Sequence, residues 1–169
     1  MRNIVLIGFM GTGKTAIAKK IAEAAGLEYL STDGLIIEKE GMPINDIFEK
    51  KGEPYFRTLE KNIVYKISEL DNVVIDAGGG IALDLENIRN LRKKGVIVCL
   101  WADPKDIYER TKFYMHRPLL NVKNPLKKIK ELLEARKPYY ERADYHINTS
   151  SVSVDEAVEA IIKYARERQ

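Results

Sequence analysis

Residues 8–15 read Gly8-Phe9-Met10-Gly11-Thr12-Gly13-Lys14-Thr15, which is the spacing G-x-x-x-x-G-K-(S/T). The stretch follows a β-branched run, Ile4–Ile7, and opens a helical pattern over Thr15–Ala25. Glycines in such a loop let backbone N–H groups turn inward around phosphate oxygens, and the helix directs its positive end at the same anion. Lys14 would then reach the β- and γ-phosphates, and the Thr15 hydroxyl could ligate Mg²⁺. The alternative is a glycine-rich turn with an incidental lysine.

Apolar runs alternate with helical patterns along the rest of the chain. Strands are predicted at Tyr29–Ser31, Val73–Ile75, Val96–Trp101 and Tyr145–Ile147. Helices are predicted around Phe56, Leu59, Ile63 and Ile67, with Pro54 in the first turn, and over Leu85–Lys93, Asp103–Lys112, Pro125–Arg142 and Val154–Arg168. Continuous apolar runs are typical of strands buried on both faces. The order predicts a layered α/β fold with a parallel sheet, and the length of 169 residues suits a single domain over 1–169.

The composition favours a soluble protein without a nucleic-acid surface. The net charge is +3, and the 28 basic and 25 acidic residues are interspersed. No apolar stretch approaches membrane-spanning length, and the start of the chain lacks a signal-peptide pattern, so we expect a cytoplasmic protein. The single cysteine, Cys99, lies in an apolar run and is predicted to be a buried core residue of a protein in a reducing compartment. His116 and His146 have no companions at ligand spacing, so no zinc site is expected.

Acidic residues and glycines follow two of the predicted strands. Asp33 comes after the second strand, and Asp76 comes after the third, just before Gly78-Gly79-Gly80. In a parallel sheet, ligands bind beyond the carboxyl ends of the strands. Asp33 is therefore the candidate general base and Asp76 the candidate metal ligand. The alternatives are turn or helix caps for the two acids and a flexible turn for the glycines.

Four arginines remain as candidate site residues, although each taken singly could be a solvated surface charge: Arg57, Arg110, Arg117 and Arg136. Arg57 lies three residues before Glu60, so a local ion pair is the alternative for it. Arg117 lies in the stretch Phe113–Asn124, which has no clear period and is predicted to be a mobile lid. A cation there could stabilise charge in a transition state. Arg136 lies on a predicted helix and would suit a carboxylate.

Several blocks together make the chain resemble the shikimate kinase family. They are the loop at 8–15, Asp33, the run Gly52-Glu53-Pro54-Tyr55-Phe56-Arg57-Thr58-Leu59-Glu60, the glycines at 78–80, Arg117-Pro118-Leu119-Leu120, and Arg136-Lys137-Pro138-Tyr139-Tyr140. Their order and spacing hold over almost the whole chain. The resemblance implies a five-stranded parallel sheet of the nucleoside-monophosphate-kinase type in the order 2-3-1-4-5. It also implies ATP-dependent phosphorylation of the 3-hydroxyl of shikimate, on the chorismate route to aromatic amino acids.

The resemblance also implies roles for single residues. Arg57, Arg136 and the glycines Gly78, Gly79 and Gly80, chiefly Gly79, would hold the carboxylate and ring of shikimate. Asp33 would bind the ring hydroxyls and could accept the proton, with Lys14 and Arg117 as its catalytic companions. Arg110 would lie against the adenine. The implied ATP-binding set is Gly11, Thr12, Gly13, Lys14, Thr15, Ala16, Arg110 and Arg117.

Two positions depart from the pattern of the family. The family has Asp-x-Asp after its second strand, whereas here the first of these positions is Ser31. It has Ser-Thr or Ala-Thr before the triple glycine, whereas here the pair is Asp76-Ala77. The missing acid contacts Mg²⁺ through water in the family. We therefore hypothesise that Asp76 replaces it from the adjacent strand end and serves the metal together with Thr15.

Three other functions remain open from the sequence. The first is a kinase of the same fold that acts on another polyol, such as gluconate or a nucleoside monophosphate. The second is a catalytically weak nucleotide-binding regulator, and the third is a simple nucleoside triphosphatase. For the favoured function we expect ATP, Mg²⁺ and shikimate as ligands, no nucleic-acid or membrane partner, and a monomer.

Overall fold

The strands form one parallel sheet in a computed structural model that describes residues 1–114 and 120–168. The described strands are β1 (Asn3–Gly8), β2 (Glu28–Ser31), β3 (Val73–Asp76), β4 (Gly95–Trp101) and β5 (Tyr145–Asn148). Their order across the sheet is β2-β3-β1-β4-β5, and every neighbouring pair is parallel. The predicted strands are thus present, each longer by one or two residues, and the implied strand order is confirmed.

Helices cover both faces of this sheet. They are α1 (Lys14–Ala25), α2 (Thr32–Glu40), α3 (Ile44–Lys51), α4 (Glu53–Ile67), α5 (Leu85–Arg92), α6 (Pro104–Thr111), α7 (Pro125–Tyr140) and α8 (Val154–Arg166), with a 3-10 turn at Ile81–Leu83. The predicted helices are present with ends shifted by one or two residues. The sequence did not predict α2 and α3.

The two unpredicted helices have weak signals in the sequence. In α2 the apolar residues Leu35–Ile37 are consecutive and form no helical repeat, whereas α3 has one in Ile44, Ile47 and Phe48 but is only eight residues long. The cap of α2 is Ser31, whose side chain accepts a hydrogen bond from the Gly34 amide at 3.1 Å. Ser31 therefore caps a helix at the position where the shikimate kinase pattern has an acid.

The core consists of two layers, one on each face of the sheet, and β1 contributes side chains to both. Ile4 and Leu6 face one layer, which α1 and α8 cover, whereas Val5 and Ile7 face the other, which includes residues of α4 and α5. This alternation within a fully buried strand explains why β1 is apolar throughout.

The prediction that Cys99 is buried is confirmed, and burial raises the pKa of its thiol to about 12.

The carboxyl ends of all five strands lie along one edge of the sheet. The phosphate loop follows β1, α2 follows β2, the triple glycine follows β3, and α6 follows β4. Ser31 and Asp76 are direct neighbours in the register of β2 and β3.

Residues 115–119 of the predicted lid, Arg117 among them, lie outside the described residues. Within the described part, no helix is long and apolar enough to cross a membrane.

Candidate active site

The phosphate loop is held by hydrogen bonds within itself. Gly13, the residue before α1, has φ +94°, a conformation that favours glycine. The Lys14 ammonium donates to the carbonyls of Gly8 at 2.9 Å and Phe9 at 3.0 Å. The buried Thr12 hydroxyl also donates to the Phe9 carbonyl, at 2.7 Å. The predicted strand–loop–helix unit is present, with Thr15 and Ala16 exposed in the first turn of α1.

Thr15 and Asp76, the two predicted metal ligands, are in direct contact. The Thr15 hydroxyl donates to Asp76 Oδ2 at 2.6 Å, although the two residues come from different elements. The Tyr29 hydroxyl donates to the same oxygen at 3.1 Å. Burial and the Asp76 carboxylate raise the pKa of Tyr29 to about 12, so the phenol keeps its proton at neutral pH.

This pair has the chemistry that Mg²⁺ prefers. A hydroxyl that donates its proton to a carboxylate keeps its lone pairs for a cation, and Mg²⁺ commonly binds with one or two carboxylates, water and substrate phosphates. Asp76 is buried, with 8% of its surface exposed, and its Oδ1 accepts no hydrogen bond from residues 1–114 or 120–168. The same described residues contain no group of three or more His, Cys, Asp or Glu that could hold a metal. The donors therefore fit a partly hydrated Mg²⁺ and not a site made wholly of protein ligands.

The triple glycine is the surface on which three helices place charged side chains. A Cβ atom on Gly78 would lie 2.7 Å from Asp33 Oδ1, and one on Gly79 would lie 3.4 Å from Arg136 Nη1. A Cβ atom on Gly80 would overlap the Arg57 guanidinium. These charged residues belong to α2, α7 and α4, respectively. The structure therefore brings the predicted acceptor-binding residues together, and the glycines make the close approach possible.

Arg57 is both an ion-pair partner and a residue of the cleft. Its Nη1 contacts Glu60, which is 2% exposed, and its Nη2 lies 3.3 Å from Glu53 Oε1. Burial raises the pKa of Glu60, the Arg57 charge opposes this shift, and the Asp33 charge adds to it. The local ion pair considered in the sequence is thus present, and it fixes the guanidinium beside Gly80.

Arg136 is placed by aromatic residues. Its guanidinium carbon lies 5.3 Å from the centroid of the Phe9 ring, within range of a cation–π interaction. Its Nη1 lies 3.4 Å from the Tyr140 hydroxyl, which donates to the Gly79 carbonyl at 2.9 Å. Tyr140 is fully buried. A rigid phenol therefore links Arg136 to the middle glycine.

Arg110 lies on the other side of the phosphate loop. It donates to the Gly11 carbonyl at 3.1 Å and to the hydroxyl and carbonyl of Thr149 at 3.1 and 3.2 Å. Thr149 itself donates to the Thr12 carbonyl at 2.9 Å. The guanidinium is thus held beside the loop, and its predicted contact with adenine stays a prediction.

Three residues of the site were missed as functional candidates in the sequence. Tyr140 is four residues after Arg136, so helical spacing could have suggested the contact. Glu60 is four residues after Phe56 and three before Ile63, so helical spacing places it on the apolar face and could have suggested its burial. Tyr29 on β2 contacts Asp76 on the adjacent strand β3, and this contact can be expected only when the strand order is known.

Comparison with known proteins agrees with this geometry. The sequence model of the family described as shikimate kinase matches residues 10–166. A shikimate kinase from Caldanaerobacter subterraneus subsp. tengcongensis is 48% identical over 163 residues, which are 96% of this chain and 95% of that protein. The structure of a shikimate kinase from Acinetobacter baumannii in complex with shikimate is similar with a TM-score of 0.93 and 34% identity, over 100% of this chain and 95% of the other.

A more distant structure shares the fold alone. A gluconokinase from Sinorhizobium meliloti is similar with a TM-score of 0.60 but is 21% identical, over 98% of this chain and 94% of the other. It lends no support to gluconate as the acceptor, whereas the family match and the relative at 48% identity cover nearly the whole chain. The chain therefore belongs to the shikimate kinase family.

Proposed function

We propose that the chain transfers the γ-phosphoryl group of ATP to the 3-hydroxyl of shikimate and forms shikimate 3-phosphate. The observation that carries this proposal is the convergence of Asp33, Arg57 and Arg136 on the triple glycine, at the sheet edge that also holds the phosphate loop. Two guanidinium groups and one carboxylate suit a small acceptor with a carboxylate at one end and hydroxyls at the other. Family membership supports the same acceptor.

The acceptor side of the cleft would bind, orient and deprotonate the substrate. Arg57 and Arg136 would hold its carboxylate, since guanidinium groups match carboxylate geometry. Asp33 would accept a hydrogen bond from the reacting hydroxyl and take its proton as the new O–P bond forms. The bond from the γ-phosphorus to ADP breaks in the same displacement.

The nucleotide side would hold and neutralise the triphosphate. Backbone N–H groups of Gly11–Thr15 would bind phosphate oxygens, and Lys14 would exchange its carbonyl contacts for the β- and γ-phosphates. Arg110 would pack against adenine, and Arg117 is proposed as the cation that covers the transferring group. Mg²⁺, when bound, neutralises charge on the β- and γ-phosphates. Thr15 and Asp76 would hold it.

An assay of acceptors tests the proposed function. A coupled assay of ATP consumption should show turnover with shikimate and far less with gluconate or a nucleoside monophosphate. ATP binding without transfer to any hydroxyl compound would instead favour a regulator. ATP hydrolysis that needs no acceptor would favour a triphosphatase.

The change Asp76→Asn is expected to weaken the apparent affinity for Mg²⁺ about tenfold or more, because an amide carries no charge to attract the hydrated cation. A titration of Mg²⁺ at saturating ATP and shikimate measures the effect. Asp71→Asn is the matched control, since Asp71 is exposed and lies before the amino end of β3. Equal Mg²⁺ affinity in the Asp76 variant and the wild type would refute the metal role of Asp76.

The change Gly80→Ala should leave the protein folded but raise the KM for shikimate by about tenfold or more, the loss expected for a displaced charged hydrogen bond. The added methyl group would occupy the position of the Arg57 guanidinium, which the buried Glu60 holds in place. Steady-state kinetics, with the thermal unfolding midpoint as a check of folding, measure the effect. A KM like that of the wild type would show that Arg57 is not needed at this position.

A further inference from the structure

The Asp76 carboxylate is held by hydroxyls from two different elements. Thr15 is in the first turn of α1, and Tyr29 is in β2. Both donate to Oδ2, at 2.6 and 3.1 Å. Two donors on one oxygen restrict rotation of the carboxylate about its Cβ–Cγ bond. Oδ1 is then the oxygen left for the hydration shell of a cation.

The position of Tyr29 follows from the register of the sheet. Tyr29 and Ser31 are two residues apart on β2 and so face the same side of the sheet. Their partners on β3 are Val74 and Asp76. The Tyr29 side chain therefore reaches diagonally from its own partner, Val74, to Asp76, past the short Ser31 side chain.

The Tyr29 ring is anchored well enough to hold its hydroxyl in place. It packs against the core cluster that includes Ile17, Ile21 and Val74. The Lys19 ammonium lies 5.6 Å from the centroid of the ring, within range of a cation–π interaction. A ring that packs against the core and also lies near a cation presents its hydroxyl at a defined place.

We propose that Tyr29 is a positioning residue for the Asp76 carboxylate at the metal site, so that the affinity for Mg²⁺ depends on the Tyr29 hydroxyl. The inference rests on the proposed role of Asp76 at Mg²⁺. Partners that orient a metal-ligating carboxylate commonly change metal affinity about 10- to 100-fold when they are removed. Tyr29 would thus contribute to metal binding without touching the nucleotide or the acceptor.

The test measures how strongly Mg²⁺ strengthens the binding of ADP. Calorimetry gives the Kd of ADP in EDTA and in saturating Mg²⁺, and the ratio of the two values is the metal coupling. Tyr29→Phe should reduce this ratio about tenfold and leave the Kd in EDTA unchanged. Tyr164→Phe is the matched control, because it also removes one hydroxyl hydrogen bond, to the Asp144 carbonyl at 2.7 Å, but its ratio should match the wild type.

A double-variant cycle tests whether the Tyr29 hydroxyl acts through Asp76. Asp76→Asn alone should reduce the ratio, and the addition of Tyr29→Phe should reduce it no further. An independent effect of Tyr29→Phe in the Asp76→Asn background would mean that the hydroxyl acts by a route other than the Asp76 carboxylate, which overturns the inference. A normal ratio for Tyr29→Phe beside a reduced one for Asp76→Asn would overturn only the inference about Tyr29. A normal ratio for Asp76→Asn would overturn the metal role of Asp76 and the inference with it.

Discussion

Asp33→Asn is expected to lower kcat for shikimate by about a thousandfold, within the range of 10²–10⁴ that general-base groups commonly supply. The amide cannot take the proton of the attacking hydroxyl, but it can still form a hydrogen bond with it. The KM for shikimate should therefore change by less than about tenfold, since a neutral hydrogen bond replaces a charged one. Steady-state kinetics at saturating ATP and Mg²⁺ separate the two constants.

The position of Asp33 makes this experiment specific. Asp33 lies in the first turn of α2, and its Oδ1 lies close to Gly78. Glu38→Gln is the matched control, because it removes a carboxylate from an exposed position on the same helix. A kcat that stays within about tenfold of the wild type would rule out Asp33 as the base, because so small a loss falls below the range for proton transfer.

Arg136→Ala is expected to act mainly on the binding of the acceptor. A charged hydrogen bond contributes about 1.5–3 kcal/mol, so the Kd for shikimate should rise about 10- to 150-fold. The kcat should fall much less, because Arg136 would contact the carboxylate and not the transferring phosphoryl group. Calorimetry with shikimate and steady-state kinetics measure the two effects.

Two controls test the partner assigned to Arg136. Lys137→Ala removes an exposed charge from the same helix and should leave the Kd unchanged. The carboxamide of shikimate should bind the wild type weakly, and Arg136→Ala should weaken its binding little further. A large fall in kcat with an unchanged Kd would instead assign Arg136 to the transition state and contradict the proposed division of roles.

The outline of the fold follows from local sequence signals. β1, the phosphate loop and α1 form a contiguous unit whose apolar run, glycines and helical repeat can each be recognised without distant contacts. In α2 no such repeat can be recognised, because its apolar residues Leu35–Ile37 are consecutive, and the repeat of α3 spans little more than one turn. Their conformation depends on packing against α4, which spacing alone does not reveal.

The site was predictable as a set of residues but not as an arrangement. Asp33, Arg57 and Arg136 are far apart in the chain, and their convergence on the glycines was expected only from the resemblance to a family. The contact of Tyr29 with Asp76 depends on β2 lying beside β3 in a particular register. A one-residue slip of that register would turn one set of side chains to the other face.

The buried thiol of Cys99 has a practical use. A thiol with a pKa near 12 and no exposed surface has almost no reactive thiolate at the pH used for maleimide labelling. A fluorophore could therefore be attached at one introduced cysteine, for example Val122→Cys at an exposed position close to the end of the predicted lid, while the native thiol stays in place. The wild-type chain is thus already a suitable background for single-molecule spectroscopy.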